Sequence, residues 1–231
     1  MTTFKKSRRP LMRLGSAGTL VVMAALAVAL LSGSGLARAA GPASHWQIGS
    51  YTPSGQNLSF ASAPSAAPSG IASLNFTNQP NTALLVTKNK AKFPDLLGDL
   101  TKKTVTATFT VSDANTFTYG GEPDGSGKPA TVRLFFETNN AGGFDSTHYW
   151  WSNPASEVLR NGTFTVTAAI DPALWSDWNG QIGTSVPDKF EDAASNVTMI
   201  GLSFGGGYFF ENGVGTTDGS GTFILSSYTA S

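Results

Sequence analysis

The 231-residue chain contains no cysteine, and that absence removes thiol nucleophiles, disulfide staples and thiolate metal sites together. Histidine is almost as scarce. His45 and His148 are the two present, too few for a multi-histidine zinc or haem site. Basic charge is also thin in the body of the chain. The first 38 residues hold six bases (Lys5, Lys6, Arg8, Arg9, Arg13, Arg38) and no acid, whereas the residues from Gly41 onward hold nine bases against fifteen acids, a net of −6. Nonspecific nucleic-acid binding needs clustered Lys and Arg to displace phosphate counterions, so no nucleic-acid partner is expected. Long apolar runs are missing too, apart from one near the N-terminus.

That N-terminal run reads as an export signal. Lys5 to Arg13 form a positive region, residues 20–31 form a 12-residue apolar stretch, and Ala37-Arg38-Ala39 fits a small-residue cleavage site before Ala40. The stretch is shorter than the roughly 20 residues that span a bilayer. Arg8-Arg9 with its neighbours resembles a twin-arginine signal, so both the Sec and the twin-arginine routes stay open. The expected organisation is a signal peptide over 1–40 and a single domain over 41–231. The mature protein would be secreted or extracytoplasmic, in the periplasm or at the cell surface, with no membrane contact after cleavage.

Beyond residue 41 the dominant pattern has period two. Val105, Ala107, Phe109 and Val111 alternate with threonines, and Phe164, Val166, Ala168 and Ile170 do the same, which puts the apolar groups on one face of each strand. Residues 45–51, 83–87, 131–137, 198–204 and 222–228 are further strands, rich in β-branched and aromatic side chains. Gly, Asn and Asp clusters punctuate them as turns. The small-residue and proline stretch 61–70 reads as a surface loop. Helical signal is sparse, with two turns expected over 187–195, where Pro starts the segment and acids come next, and one or two over 93–100. The fold class expected is all-β, an antiparallel β-sandwich of jelly-roll type with one or two short helices.

Five segments together resemble a known group. They are TYGGEPDGSGKPATVRLFFE at 118–137, YWWSNP at 149–154, WSDWNG at 175–180, IGLSFGGG at 200–207 and the closing strand 221–228. The chain is similar here to secreted bacterial proteins with a galactose-binding-like jelly roll, organised like carbohydrate-binding modules. The resemblance spans residues 45–231 in layout, with specific motifs from about 103 onward, and implies the fold more than the function. It implies no catalytic signature.

Aromatic residues carry the strongest chemical signal. Tyr149, Trp150 and Trp151 stand together, and Trp175 and Trp178 lie in a Gly/Asn/Asp-rich segment; all are expected at strand edges or in loops. A rigid indole offers stacking area to the apolar C–H face of a sugar at small entropic cost, while polar neighbours bind hydroxyls. Adjacent strand residues face opposite sides, so one of Trp150 and Trp151 is expected in the core and the other free for ligand. Trp175, beneath the turn at 171–174, reads as core, and Trp178 as a stacking residue. On strand 131–137, Arg133, Phe135 and Glu137 face away from Val132, Leu134 and Phe136. They form a charged and aromatic strip suited to a polar ligand; the alternative is a surface Arg133–Glu137 pair contributing about 0–1 kcal/mol. The ligand-binding set is therefore Tyr149, Trp150, Trp151, Trp178, Arg133 and Glu137.

Carboxylates offer a rival reading. Glu122, Asp124, Glu137, Asp145, Asp177 and Glu211 could contribute to a glycan hydrolase or lyase built on Glu137 or Glu122. Glycoside hydrolysis needs two carboxyls about 5–9.5 Å apart with one held protonated, which spacing along a chain does not specify. Most of these acids lie in Gly-rich loops where Asp builds turns, so no catalytic residue is assigned. The one candidate cofactor is a structural Ca²⁺, held by Glu122, Asp124 and Ser126, or by Asp218 with backbone carbonyls, by analogy with jelly-roll modules. The expected activity is noncatalytic binding of carbohydrate or another polar ligand; a structural envelope protein without small ligand is a third class. N-terminal sequencing of the exported protein should begin at Ala40. A start at residue 1 or 2 with membrane retention would identify an uncleaved anchor instead.

Overall fold

The computed structural model describes residues 43–52, 57–120, 129–139, 142–207 and 212–231, all within the compact unit Ala39–Ser231. The export segment, Glu122, Asp124, Ser126 and Glu211 lie outside the described residues. The chain runs β1 (Ala43–Tyr51), β2 (Leu58–Pro64), β3 (Ala72–Asn75), β4 (Thr82–Thr87), β5 (Thr104–Ser112), β6 (Phe117–Tyr119), β7 (Thr131–Thr138), β8 (Tyr149–Val158), β9 (Gly162–Ala169), β10 (Trp175–Asp177), α1 (Pro187–Ser195), β11 (Val197–Gly205), β12 (Val214–Thr216) and β13 (Thr222–Ala230). These strands build an all-β antiparallel sandwich. The large sheet has the order β10-β8-β7-β11-β4-β1-β2, with short β12 and β6 branching from β4, and the small sheet has the order β3-β13-β5-β9.

The small sheet obeys simple alternation. Val105, Ala107, Phe109 and Val111 of β5 are buried against the large sheet. The threonines between them face solvent and pair across to β9 through hydroxyl contacts: Thr106–Thr167 at 3.1 Å, Thr108–Thr165 at 3.0 Å and Thr110–Thr163 at 2.8 Å. Each such pair contributes about 0.2–1 kcal/mol.

The large sheet is different because its central strands are apolar on both faces. All six residues of β4 are buried, and β7 is buried throughout except at Glu137. Leu85, Val132, Leu134, Phe136, Trp150, Ile200, Leu202 and Phe204 turn inward to the main core. Leu84, Val86, Phe135, Trp151 and Met199 turn outward into a second cluster. Tyr228 of β13 ties the two sheets, donating its buried hydroxyl to the Gly201 carbonyl at 2.9 Å. Gly201 is required where β11 approaches β4, since a Cβ there would overlap the Leu85 carbonyl and the Val86 Cα.

Three local expectations change. Residues 61–64 continue β2, pairing with β1 at Ala61↔Ile48 and Ser62↔Gln47, so the surface loop is confined to residues 65–70. Residues 149–154 lie within strand β8 rather than at a strand edge or in a loop, with a register shift against β7 between Trp151 and Ser156, because both faces of the large sheet accept aromatic side chains. Residues 93–100 make turns and no helix; the segment is held by its buried Leu96, Leu97 and Leu100 and by the Leu100 N–H donated to the Ala194 carbonyl at 2.9 Å. Helix α1 forms over the expected residues and buries Phe190, Ala193 and Ala194.

Trp175 lies fully in the main core, donating its indole N–H to the Ala169 carbonyl at 2.7 Å and packing on Phe136 at 4.9 Å between centroids. Trp175→Ala should lower the unfolding free energy by about 3–5 kcal/mol, read from urea denaturation. A loss below about 1 kcal/mol would contradict this packing.

Candidate ligand-binding site

The outward face of the large sheet carries an open groove of about 220 Å³. That is below the roughly 300–1,000 Å³ of sites for drug-sized ligands, and suits a single ring. Register explains its floor. Phe135 stands opposite Trp151 on one side and Gly201 on the other, and Glu137 stands opposite Tyr149 and Met199. The Trp151 indole lies across the sheet and donates its N–H to the Ser203 hydroxyl at 2.9 Å, so this ring is a fixed floor with only 3% of its surface exposed.

Two walls rise from that floor. The β1–β2 hairpin supplies Tyr51, Leu58 and Phe60. Gly49, paired with Phe60, makes this wall possible, because a Cβ at Gly49 would come within 3.0 Å of the Phe60 ring and 3.1 Å of Leu84. Lys88 closes the hairpin side, its ammonium 4.9 Å from the Phe60 ring centre.

The opposite wall is aromatic. Tyr149 and Trp178 meet at 5.7 Å, Trp178 reaches Trp151 at 5.9 Å, and Phe144 packs on both Tyr149 and Trp178 at 5.7 and 5.4 Å. Phe144 nevertheless leaves 66% of its surface in solvent. Trp178 is aimed by Asp177, whose carboxylate accepts the N–H groups of Asn179 at 2.9 Å and Gln181 at 2.8 Å, folding residues 177–181 into a turn. Asp145 does similar work below it, accepting from the Thr147 N–H at 2.9 Å and hydroxyl at 2.7 Å. Those bonds hold the Asp145 carboxyl below its ordinary range, whereas burial raises that of Asp177 despite its backbone bonds. Both acids are turn builders.

Glu137 is the charged group of the floor. Burial pushes its carboxyl up to about 6, with Lys88 opposing the shift. Among the described residues no hydrogen bond or ion pair reaches the carboxylate; besides the strand ladder, Thr198 donates its hydroxyl to the Glu137 backbone carbonyl.

The expected site residues thus separate. Tyr149, Trp151, Trp178 and Glu137 line one groove. Trp150 faces the other way, fully buried in the main core with its indole N–H on the Thr147 carbonyl at 2.7 Å, because alternation sends the two neighbours to opposite faces. Arg133 shares the outward face without lining the groove, and it is 4% exposed rather than a surface residue. Four strand positions put it about 13 Å from Glu137 with Phe135 between, too far for a direct pair. Asp218 accepts from the Ser220 N–H and hydroxyl at 3.0 and 2.6 Å and from the Asn115 amide at 3.3 Å, which closes a turn. Among the described residues no three His, Cys, Asp or Glu side chains cluster for a metal. Sequence reasoning missed Phe144, Tyr51, Phe60 and Lys88, which tertiary contacts alone bring to the groove. The Gly49–Phe60 pairing was legible only once 58–64 was a strand.

Family models, curated proteins and solved structures contain no match to this chain.

A carboxyl whose folded pKa is raised binds more protons folded than unfolded between about 4.5 and 6, so its contribution to stability falls as pH rises through that window. With solvent screening at the open mouth the loss is of order 1 kcal/mol. Glu137→Gln should therefore be more stable than the parent by about that much at pH 8 and indistinguishable at pH 4, measured by urea unfolding. Equal stability at both pH values would show that the carboxylate is not desolvated.

Proposed function

We propose that the chain is an exported, noncatalytic binding domain whose ligand is a carbohydrate, held in the groove on the outward face of the large sheet. The observation that carries this reading is the ring-sized groove with rigid aromatic walls and a few polar groups: Trp178 and Tyr149 at one side, Trp151 beneath, and Glu137, Lys88 and Ser203 within reach. Such a surface offers stacking area to sugar C–H faces and donors and acceptors to hydroxyls. The galactose-binding-like jelly roll of secreted carbohydrate-binding modules is our reading of the sandwich, on the motif resemblance. The rival reading, a glycan-active enzyme, draws on the raised pKa of Glu137, which suits a general acid; it predicts release of reducing sugar that Glu137→Gln abolishes.

The binding reading is tested by titrating tryptophan fluorescence with a panel of soluble glycans, with and without Ca²⁺, together with retention on insoluble glycans. At least one glycan should give a saturable shift. Trp178→Ala should weaken it about tenfold or more without unfolding the domain, while Thr108→Ala on the small sheet should leave it unchanged. Absence of any saturation and any retention would sink this reading in favour of a structural envelope protein.

A further inference from the structure

Glu137 poses a problem that a neutral sugar does not solve. Its carboxylate sits half-buried among Tyr149, Trp151, Phe135 and Met199, with no hydrogen bond or ion pair among the described residues. Lys88, the charge that acts on it, forms no ion pair with it and is engaged over the Phe60 ring on the opposite wall. A ligand that covers the groove strips the remaining water from this carboxylate. Hydroxyl donors alone would leave the carboxylate covered with only Lys88, held over Phe60 and not ion-paired, to offset its charge, whereas a ligand ammonium meets it directly through charge-assisted hydrogen bonds. The surrounding aromatic faces favour the same cation, since their quadrupoles attract an ammonium within about 6 Å of a ring centre.

We infer that the ring bound in the groove carries an ammonium group, as an amino sugar does, and that Glu137 is the residue that selects it. This rests on the carbohydrate reading and narrows it. The pyranose face stacks on Trp178 with Tyr149, set at 63° to that indole, against its edge; the amino group points to Glu137, and Lys88 donates to a hydroxyl or ring oxygen from the hairpin side. N-Acetylation removes the charge and enlarges the substituent, so the free amine is the preferred form.

The test is calorimetric titration of the mature protein at about pH 6.5 with three β-1,4-linked trimers, of glucosamine, N-acetylglucosamine and glucose. The glucosamine trimer should bind at least about tenfold tighter than the other two. Glu137→Gln, which keeps shape and removes charge, should bring all three within about twofold, with an unchanged near-ultraviolet dichroism spectrum. Equal binding of the glucose and glucosamine trimers overturns the inference, as does a preference that survives Glu137→Gln; both outcomes leave the carbohydrate reading standing. If no trimer binds while another glycan saturates the protein, the amino-sugar assignment alone falls. If no glycan binds at all, both fall together.

Discussion

The constraint on which the rest of this structure depends is that the central strands of the large sheet are apolar on both faces. One face is covered by the small sheet, through the phenylalanines and valines of β5, β9 and β13. The other face, carrying Leu84, Val86, Phe135, Trp151 and Met199, would expose a broad apolar patch if left bare, and patches of that kind drive association. That face is covered incompletely, by side chains of the β1–β2 hairpin at one end of the sheet and by a turn at the other. The groove is the strip that neither reaches.

Each device has an identifiable cause in the sequence. The hairpin extends the large sheet beyond β4, and Gly49 leaves room on its outward face for the Phe60 ring beside Leu84. The turn at 177–181 exists because the Asp177 carboxylate substitutes for a backbone acceptor, gathering two N–H groups that a tight loop would otherwise leave unpaired. Trp178 leaves that turn directly over Trp151. The groove's aromatic lining and its covering elements are thus the same residues, and they brace one another: Phe144 stacks on Tyr149, and Trp178 meets both edge to face. A rigid aromatic wall loses little conformational entropy when a ligand docks.

Glu137 runs against this logic, since it places a carboxylate where the neighbouring strand positions carry Met199 and Tyr149. An apolar residue there would complete the second cluster and stabilise the fold. Stability is lost at a site that opens to solvent, where no described group hydrogen-bonds or ion-pairs the carboxylate and Lys88 acts on it only through space. Asp177 is also buried and shifted upward by that burial, and its Oδ2 has no hydrogen-bond partner among the described residues, but its Oδ1 accepts two backbone N–H groups and so builds a turn. The contrast between the two acids distinguishes turn formation from a candidate ligand contact.

Much of this was written in strand periodicity. Alternation in 104–111, 131–137 and 163–170 set the strands, their faces and the all-β sandwich, and the same rule required Trp150 and Trp151 to part company. It also put Phe135 and Glu137 on one outward face. Periodicity is a property of a single strand, however, and it carries no information about which strands become neighbours. That Tyr51 and Phe60 stand across from Tyr149 and Trp178, that Arg133 is buried outside the groove, and that Phe144 joins the aromatic wall all depend on sheet order and on turns that cross the sheet. Chain connectivity and close packing of the two layers decided those, through contacts between residues as distant in sequence as Ala72 and Leu225. The amino-acid sequence by itself determined which side of each strand is apolar; only the tertiary structure decided that two apolar faces would be unequally covered, because covering is a matter of which segments can physically reach.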